Sequence, residues 1–216
     1  FDVGDPVFMV NTHWHGDHTA GNVVYGEEAT IIAHANTRLR LSERQTPWWY
    51  PEGIGPIHTA GWPDLTFTDS LSLYFNGEEV QLLHFGPAHS DGDAIVFFRK
   101  AEVIHMGDLY HGVDGFSVGE DMHGLAHTLA EVIRRVPART LIVTGHGEVT
   151  DRAELSAYHQ LLAETLAWVQ GQVERGERLE AIQQNGLPEP WDERFAEQAD
   201  EVTAWIREIF RSLTGA

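Results

Sequence analysis

The chain has 216 residues, 42% hydrophobic and 22% charged, which suits one globular domain with a full core. Its 33 acidic residues outweigh 14 Lys and Arg to give a net charge of −19, which repels phosphate backbones and anionic lipid; a small-molecule partner is expected, not nucleic acid or membrane. Zero cysteines exclude disulfides, thiolate nucleophiles and thiolate metal ligands, and leave cytoplasm and periplasm equally open. The longest apolar runs are a few residues, too short to span a bilayer, so the sequence reads as soluble, while 13 histidines are conspicuously many.

In chain order, Val7 to Val10 predict a short strand that ends in a histidine-loaded turn, and a short helix starts near Asp17 or Thr19. A second strand over Ala29 to Ala33 leads into a helix from Ala35 to Arg44. Gln45 to Pro63, punctuated by Pro47, Pro51, Pro56 and Pro63 around Trp48, Trp49 and Tyr50, reads as a long loop. Strands follow over LTFTD, LSLYF and EVQLLHF, with Asn76-Gly77 as a hairpin turn, then over Ala94 to Arg99 and Glu102 to His105. A helix over Gly124 to Val136 precedes a strand over Thr140 to Val143. Asp151 reads as the N-cap of a helix reaching about Glu174, with Glu154 placed as in a capping box. The apolar spacing Phe195, Ala199, Val202, Ile206, Ile209, Leu213 predicts one amphipathic helix over 192–213, packed on the domain or used for dimerisation. No repeat or linker is visible, so 1–216 reads as a single domain of mixed strands and helices.

His13, His15, Asp17 and His18 place three imidazoles and a carboxylate within six residues directly after a strand, which are metal-ligand types at ligand spacing. VQLLHF leads to His89, EVIHMG to Asp108 and TLIVTG to His146, each just past a strand end, where loops converge on a rigid scaffold.

This order of motifs, H-x-H-x-D-H, then G-P-A-H-S-D-G-D, G-D-L and G-H-G, resembles the metallo-β-lactamase superfamily of metal-dependent hydrolases from Val7 to about Asp151. The resemblance implies an α/β (α+β) fold, the four-layer αββα sandwich. It also implies a first metal on His13, His15 and His89, a second on Asp17, His18 and His146, and Asp108 bridging the two. Imidazole and carboxylate donors suit two zinc ions, with manganese or iron as other metals such sites accept, and each three-residue set leaves a position for water. A water shared by two cations becomes a hydroxide nucleophile near neutral pH, with Asp17 placed to orient it, so Asp17 and Asp108 are the candidate catalytic carboxylates.

Departures narrow the resemblance. The Cys ligand of several β-lactamase classes is absent, and His15 stands where oxygen-reducing di-iron relatives carry Glu; nuclease relatives present basic surfaces, unlike this acidic chain. The pattern is most similar to hydrolases of esters, thioesters and lactones, hydroxyacylglutathione hydrolases among them. β-Lactam hydrolysis and a non-catalytic metal-binding protein on the same fold are the alternatives. Only twelve residues precede His13, whereas several strands precede this motif in the family and five would need on the order of 50 residues. The first half of the sandwich is therefore expected upstream of Phe1 or from another chain.

Among other residues, Trp48, Trp49 and Tyr50 are expected to form a pocket wall, a subunit contact or a cover for core, and Tyr110 and His111 to reach the pocket rim, either as substrate contacts or as supports behind the metal ligands. Asp93 is expected to anchor the His89 loop or a ligand imidazole, Gly145 and Gly147 to allow a tight turn, and His84 and His105 to be hydrogen-bonded sheet residues. His34, His58, His123, His127 and His159 read as ordinary surface or helix positions.

Overall fold

A computed structural model describes residues 6–112 and 115–215; the expectations that concern Phe1 to Asp5, Val113, Asp114 and Ala216 lie outside the described residues. The chain divides into two compact units, residues 1–86 with 90–101, and residues 87–89 with 102–216.

In the N-terminal unit, β1 (Phe8–Val10), β2 (Thr30–His34) and β3 (Leu65–Phe67) form a parallel sheet in the order β1-β2-β3, with Phe8 opposite Thr30 and Ile32 opposite Leu65. Parallel neighbours need crossovers. Two single-turn helices, α1 (Gly16–Thr19) and α2 (Asn22–Tyr25), make the first, and α3 (Ala35–Ser42) with the Pro-rich loop makes the second. The strands β4 (Ser70–Phe75), β5 (Glu78–Leu83) and β6 (Ile95–Phe98) follow as an antiparallel meander. Asn76 and Gly77 both take positive φ, 50° and 75°, which a two-residue hairpin demands and these residue types tolerate. Alternate residues of the meander point inward, so Val80, Leu82 and Val96 pack with Ile32 and Phe67 in one core, flanked by Phe8 and Leu73.

His34 is not a surface residue as its sequence context suggested. Buried at the end of β2, it caps α3: its Nδ1 accepts from the Asn36 backbone N–H at 3.2 Å, while Nε2–H donates to the Thr68 carbonyl at 2.9 Å. That pattern requires the neutral ring. The imidazole also stacks on His84, 4.0 Å between centroids, whose Nδ1 donates to the Asp93 carbonyl at 2.8 Å.

In the C-terminal unit, β7 (Val103–His105) pairs in parallel with β8 (Leu141–Val143), and β8 pairs antiparallel with β9 (Thr150–Asp151). The helix α4 (Met122–Arg135) joins β7 to β8 and packs with α5 (Arg152–Glu174) and α8 (Ala199–Thr214), between which lie α6 (Leu179–Asn185) and α7 (Trp191–Arg194). Asp151 caps α5, accepting from the N–H groups of Ala153 and Glu154 at 2.8 and 3.0 Å. The capping box is not the reciprocal one, since the Glu154 carboxylate accepts from the Thr150 hydroxyl.

The single helix expected over 192–213 is two. The chain leaves helical dihedrals at Phe195 (φ −106°, ψ 20°) and re-enters after Gln198, which lets the Phe195 ring turn onto Phe116 at 5.0 Å. Along α8 the inward face is Val202, Trp205, Ile206 and Ile209 rather than the full predicted stripe, because Ala199 is exposed and the whole Trp205 ring is buried. The Trp205 indole N–H donates to Thr165 Oγ1 of α5 at 3.1 Å, which satisfies its one polar atom. No helix among the described residues is long and apolar enough to cross a membrane.

Desolvation by burial, followed by the His84 ring beside it, lowers the pKa of His34 below the ordinary 6.5. The unfolded chain therefore takes up this proton more readily, so the cap stabilises the fold above pH 6.5 and loses its effect as pH falls through that value toward the folded-state pKa. We expect the melting temperature to fall less between pH 7 and 5 in His34→Asn, which keeps a capping acceptor without a titrating ring. An unchanged pH slope would remove His34 from this role.

Candidate metal centre

Each unit holds a cluster of imidazoles and carboxylates, and each is positioned from a strand end. In the N-terminal unit the chain leaves β1 through Asn11 and Thr12. A reciprocal amide pair, Asn11 Nδ2 to Asn22 Oδ1 at 2.9 Å and Asn22 Nδ2 to Asn11 Oδ1 at 2.8 Å, ties this exit to α2, and a 2.6 Å bond from Ala94 N–H to the Thr12 carbonyl ties it to the start of β6. His13 and Trp14 are buried, and α1 begins at Gly16, so His15, Asp17 and His18 return toward His13 within one turn. The His13 ring lies 4.7 Å from His15 and 4.2 Å from His18, and His18 Nε2 is 3.3 Å from Asp17 Oδ2. Thr12 Oγ1 meets His13 Nδ1 at 3.1 Å, which leaves Nε2 as the nitrogen available to a metal, and Thr19 Oγ1 donates to the His15 carbonyl at 2.9 Å.

In the C-terminal unit Asp108 sits in a 3-10 turn, Gly107–Leu109, directly after β7, and is buried. Its Oδ2 lies 3.7 Å from His89 Nε2, 3.6 Å from His111 Nε2 and 3.3 Å from His146 Nε2. His89 is buried and its Nδ1 donates to the Val118 carbonyl at 2.6 Å, so its tautomer directs Nε2 to Asp108. His146, on the loop after β8, is half exposed.

Gly145 and Gly147 do more than permit a turn. A Cβ on Gly145 would stand 1.9 Å from Asp108 Oδ1, and one on Gly147 would stand 2.5 Å from the His111 carbonyl, so both positions are vacant because the carboxylate and its loop occupy the space. Neither glycine has a positive φ, so close approach and not conformational freedom is the reason.

Asp93 anchors the loop that follows His89: its carboxylate accepts from Ser90 N–H at 2.9 Å and Ser90 Oγ at 2.7 Å. Asp91 is held by the Arg40 guanidinium, with Arg40 Nη2 at 2.9 Å. His105 lies at the end of β7, its Nδ1 accepting from Gly107 N–H at 3.0 Å, which shapes the turn carrying Asp108.

Of the expected rim residues, Tyr110 is corrected. It is fully buried, its ring 5.0 Å from that of Tyr158 in the helical core, where the extended backbone that follows the 3-10 turn delivers the side chain. His111 stands beside Asp108, as the supporting alternative expects. Trp48, Trp49 and Tyr50 are about half exposed on a loop closed by the Gln45–Ile54 bridge. Trp49 stacks on the buried Trp14, 6.2 Å between centroids and 23° between planes, and meets the His15 ring edge-on at 5.3 Å. Trp14, unweighed in the sequence, is thus the inner layer of that wall; its position between two metal-ligand types was the available signal.

The family model described as the metallo-beta-lactamase superfamily matches residues 1–146. The chain is 24% identical over 145 residues to the metallo-beta-lactamase type 2 of Bacteroides fragilis, covering 65% of this chain and 53% of that protein. It is 27% identical over 125 residues to the lactamase-like protein nscB of Arthroderma otae, covering 58% and 30% respectively. The chain therefore spans about half the length of the first curated relative and less than a third of the second. Among solved structures, a metallo-beta-lactamase from Pontibacter korlensis aligns with a TM-score of 0.56 at 20% identity over 73% of this chain and 69% of that one. The inverting sec-alkylsulfatase Pisa1 from Pseudomonas sp. aligns with a TM-score of 0.68 at 13% identity over 97% and 41%. At these identities the structural likeness is one of fold.

If Gly145 is empty to make room for Asp108, Gly145→Ala should displace the carboxylate while the helices remain folded. If this cluster holds a divalent ion, affinity measured with zinc in chelator competition should fall at least tenfold, the scale of a misplaced supporting group, with helical circular dichroism retained. Zinc affinity equal to that of the unaltered protein would show that this contact does not position Asp108.

Proposed function

The chain belongs to the metallo-β-lactamase superfamily and has its mixed α/β fold, and from that membership we propose that it is a metal-dependent hydrolase that holds two divalent ions. In this reading the ligands are those that the family resemblance implies, His13, His15, Asp17 and His18 from the N-terminal unit and His89, Asp108 and His146 from the C-terminal unit. The observation that carries the proposal is the buried Asp108 carboxylate with imidazole nitrogens at 3.3 to 3.7 Å, too far for most to be hydrogen bonds and apt for ligands around a cation. Nitrogen and oxygen donors without sulfur favour zinc, with manganese or iron as other occupants.

When bound, two such ions lower the pKa of a shared water toward neutrality and polarise a carbonyl oxygen. The protein's own part is positional. Thr12 and the Val118 carbonyl hold the Nδ1 atoms of His13 and His89, which fixes their ring orientation and raises their basicity at Nε2. Asp17 is exposed beside His18, where its carboxylate can orient an attacking water or hold a proton from it.

The substrate we propose is an uncharged ester, thioester or lactone, as in hydrolases of the hydroxyacylglutathione kind. The wall beside His15 is aromatic, made of Trp14 and Trp49 with Trp48 and Tyr50 on the same loop, and no Lys or Arg occurs between Lys100 and Arg134 to clamp an anionic group near Asp108 or His111. β-Lactam hydrolysis is the second reading, favoured by the likeness to the Bacteroides fragilis protein.

A zinc-loaded preparation should bind close to two ions per chain and lose its activity on chelation. Assayed on a short-chain aryl ester, an acyl thioester, a lactone, a penicillin, a cephalosporin and a sec-alkyl sulfate, it should give its highest kcat/KM on one of the first three. A higher kcat/KM on either β-lactam or on the sulfate would overturn the substrate class, and no turnover by a fully loaded sample would favour a non-catalytic metal-binding role.

A further inference from the structure

We infer that the substrate carries a planar aromatic group and that the Trp49 indole receives it, next to His15. This rests on the hydrolase reading and narrows the uncharged esters, thioesters and lactones to those with an aromatic ring in the acyl or the leaving half.

Two rings set the plane of Trp49. On one side lies the buried Trp14, with 23° between the planes and 6.2 Å between centroids, an offset stack. The His15 ring meets Trp49 edge-on at 88° and 5.3 Å, and meets Trp14 as well at 4.6 Å. With these contacts made, 46% of Trp49 is still exposed, and Tyr50 flanks it at 6.4 Å, tilted by 50°. A fixed flat surface of this kind discriminates by shape. An aromatic ring stacks on it with centroids about 4.5–7 Å apart and gains beyond the area it buries, whereas a saturated ring of the same size gains the area alone. The edge contact with His15, a candidate ligand, places this surface next to the chemistry that the hydrolase reading assigns.

The loop that presents Trp49 is held in shape although Trp48, Trp49 and Tyr50 are about half exposed. Gln45 and Ile54 close its base with two backbone bonds, at 2.8 and 2.7 Å, while Tyr50 N–H donates to the Pro47 carbonyl at 2.9 Å and Gly53 N–H to the Tyr50 carbonyl at 3.0 Å. Gly53 takes a φ of 80°, and a Cβ there would meet Arg44 Nη2 at 2.9 Å, because the Arg44 guanidinium folds over this turn to bond the Glu52 carbonyl. The Gln45 side chain is buried: its Oε1 accepts from Arg40 Nη1 at 2.9 Å and its Nε2 donates to the Arg40 carbonyl at 3.0 Å, while Arg40 grips Asp91. Ordering a loop around a ligand costs conformational entropy, and here the fold has ordered the loop beforehand.

The surroundings select the occupant. Residues 45–63 contain no Lys or Arg and one carboxylate, Glu52, so nothing in the loop clamps an anionic group. The Lys and Arg that accompany aromatic residues at a lipid surface are missing for the same reason, and the net charge of −19 repels anionic lipid. Half of the roughly 150–250 Å² that an aromatic side chain offers comes to about 300 Å² over three rings, well short of the ~800 Å² per partner of a standard protein interface and enough for one or two rings of a small molecule.

The test uses the full chain with zinc and two uncharged alcohols that differ in planarity, 2-naphthylmethanol and its decahydro analogue. Neither has a bond to hydrolyse, so binding is read independently of turnover. In nuclear magnetic resonance, with the Trp49 indole assigned through Trp49→Phe, the naphthyl alcohol should move that resonance upfield and bind roughly fivefold or more tightly than the saturated one. Trp49→Phe should keep part of this preference, and Trp49→Leu should erase it at an unchanged melting temperature. Equal affinity for the two alcohols, or an unmoved Trp49 resonance, would overturn the inference. So would a Trp49 resonance that responds to phosphatidylcholine vesicles or to protein concentration but not to the naphthyl alcohol, which would give the loop to lipid or to a second copy. Toward the acetate esters of the same alcohols, Trp49→Leu should lose the naphthyl preference through KM; an equal fall in kcat for both esters would instead make Trp49 a support for His15. Binding at Trp49 without hydrolysis of either ester defeats the hydrolase reading, whereas hydrolysis of both with no naphthyl preference defeats the aromatic substrate alone.

Discussion

A carboxylate buried in a low-dielectric interior has to be compensated, and the burial of Asp108 is the constraint on which the rest of this molecule depends. No Lys or Arg is available in the sequence from 101 to 133, so the compensation near Asp108 comes from imidazoles. Three of them reach one of its oxygens, delivered by residues 87–89, by the turn after β7 and by the loop after β8. Several features that look unrelated serve this arrangement. Gly145 is bare so that Oδ1 fits, the Val118 carbonyl fixes the His89 ring, and Ser117 Oγ–H donates to the Asp108 carbonyl while its own N–H bonds the Tyr158 hydroxyl in the helical core at 3.0 Å. The Tyr158 hydroxyl is pushed well above its ordinary pKa by burial, so it stays a neutral, reliable partner.

The N-terminal cluster obeys a different logic. Its ligands are adjacent in sequence, and what they need is a sharp transition from strand to helix. Asn11 and Asn22 lock that transition, Thr12 selects the nitrogen of His13, and the helix N-terminus at Gly16 places Asp17 where a carboxylate is favoured. The aromatic loop is joined to this cluster through ring contacts with Trp14 and His15, so an exposed apolar surface is held firmly next to polar ligands.

How much of this was legible in the sequence follows from how local each determinant is. The hairpin at Asn76-Gly77 and the Asp151 cap were readable because two or three adjacent residues decide them, and the H-x-H-x-D-H cluster because its ligands are neighbours. The break between α7 and α8 was not, since nothing in Arg194 to Gln198 forbids a helix; it is decided by Phe116, some eighty residues earlier, which offers Phe195 and Trp205 a shared apolar site. Tyr110 and His111 were read together because they are consecutive after Asp108. In an extended segment consecutive side chains point to opposite sides, which sends Tyr110 into the core and His111 toward the carboxylate. His34 was passed over because a histidine that caps a helix looks like any other until its two hydrogen bonds are seen.

The most direct test of the central claim, that imidazoles and the Asp108 carboxylate form a two-ion centre, is X-ray absorption at the zinc edge of the loaded protein. The account predicts a first shell of nitrogen and oxygen only, strong outer-shell scattering from several imidazoles, and a metal–metal contribution at about 3.5–4 Å. A single isolated ion with little imidazole scattering, in protein saturated with zinc, would contradict it.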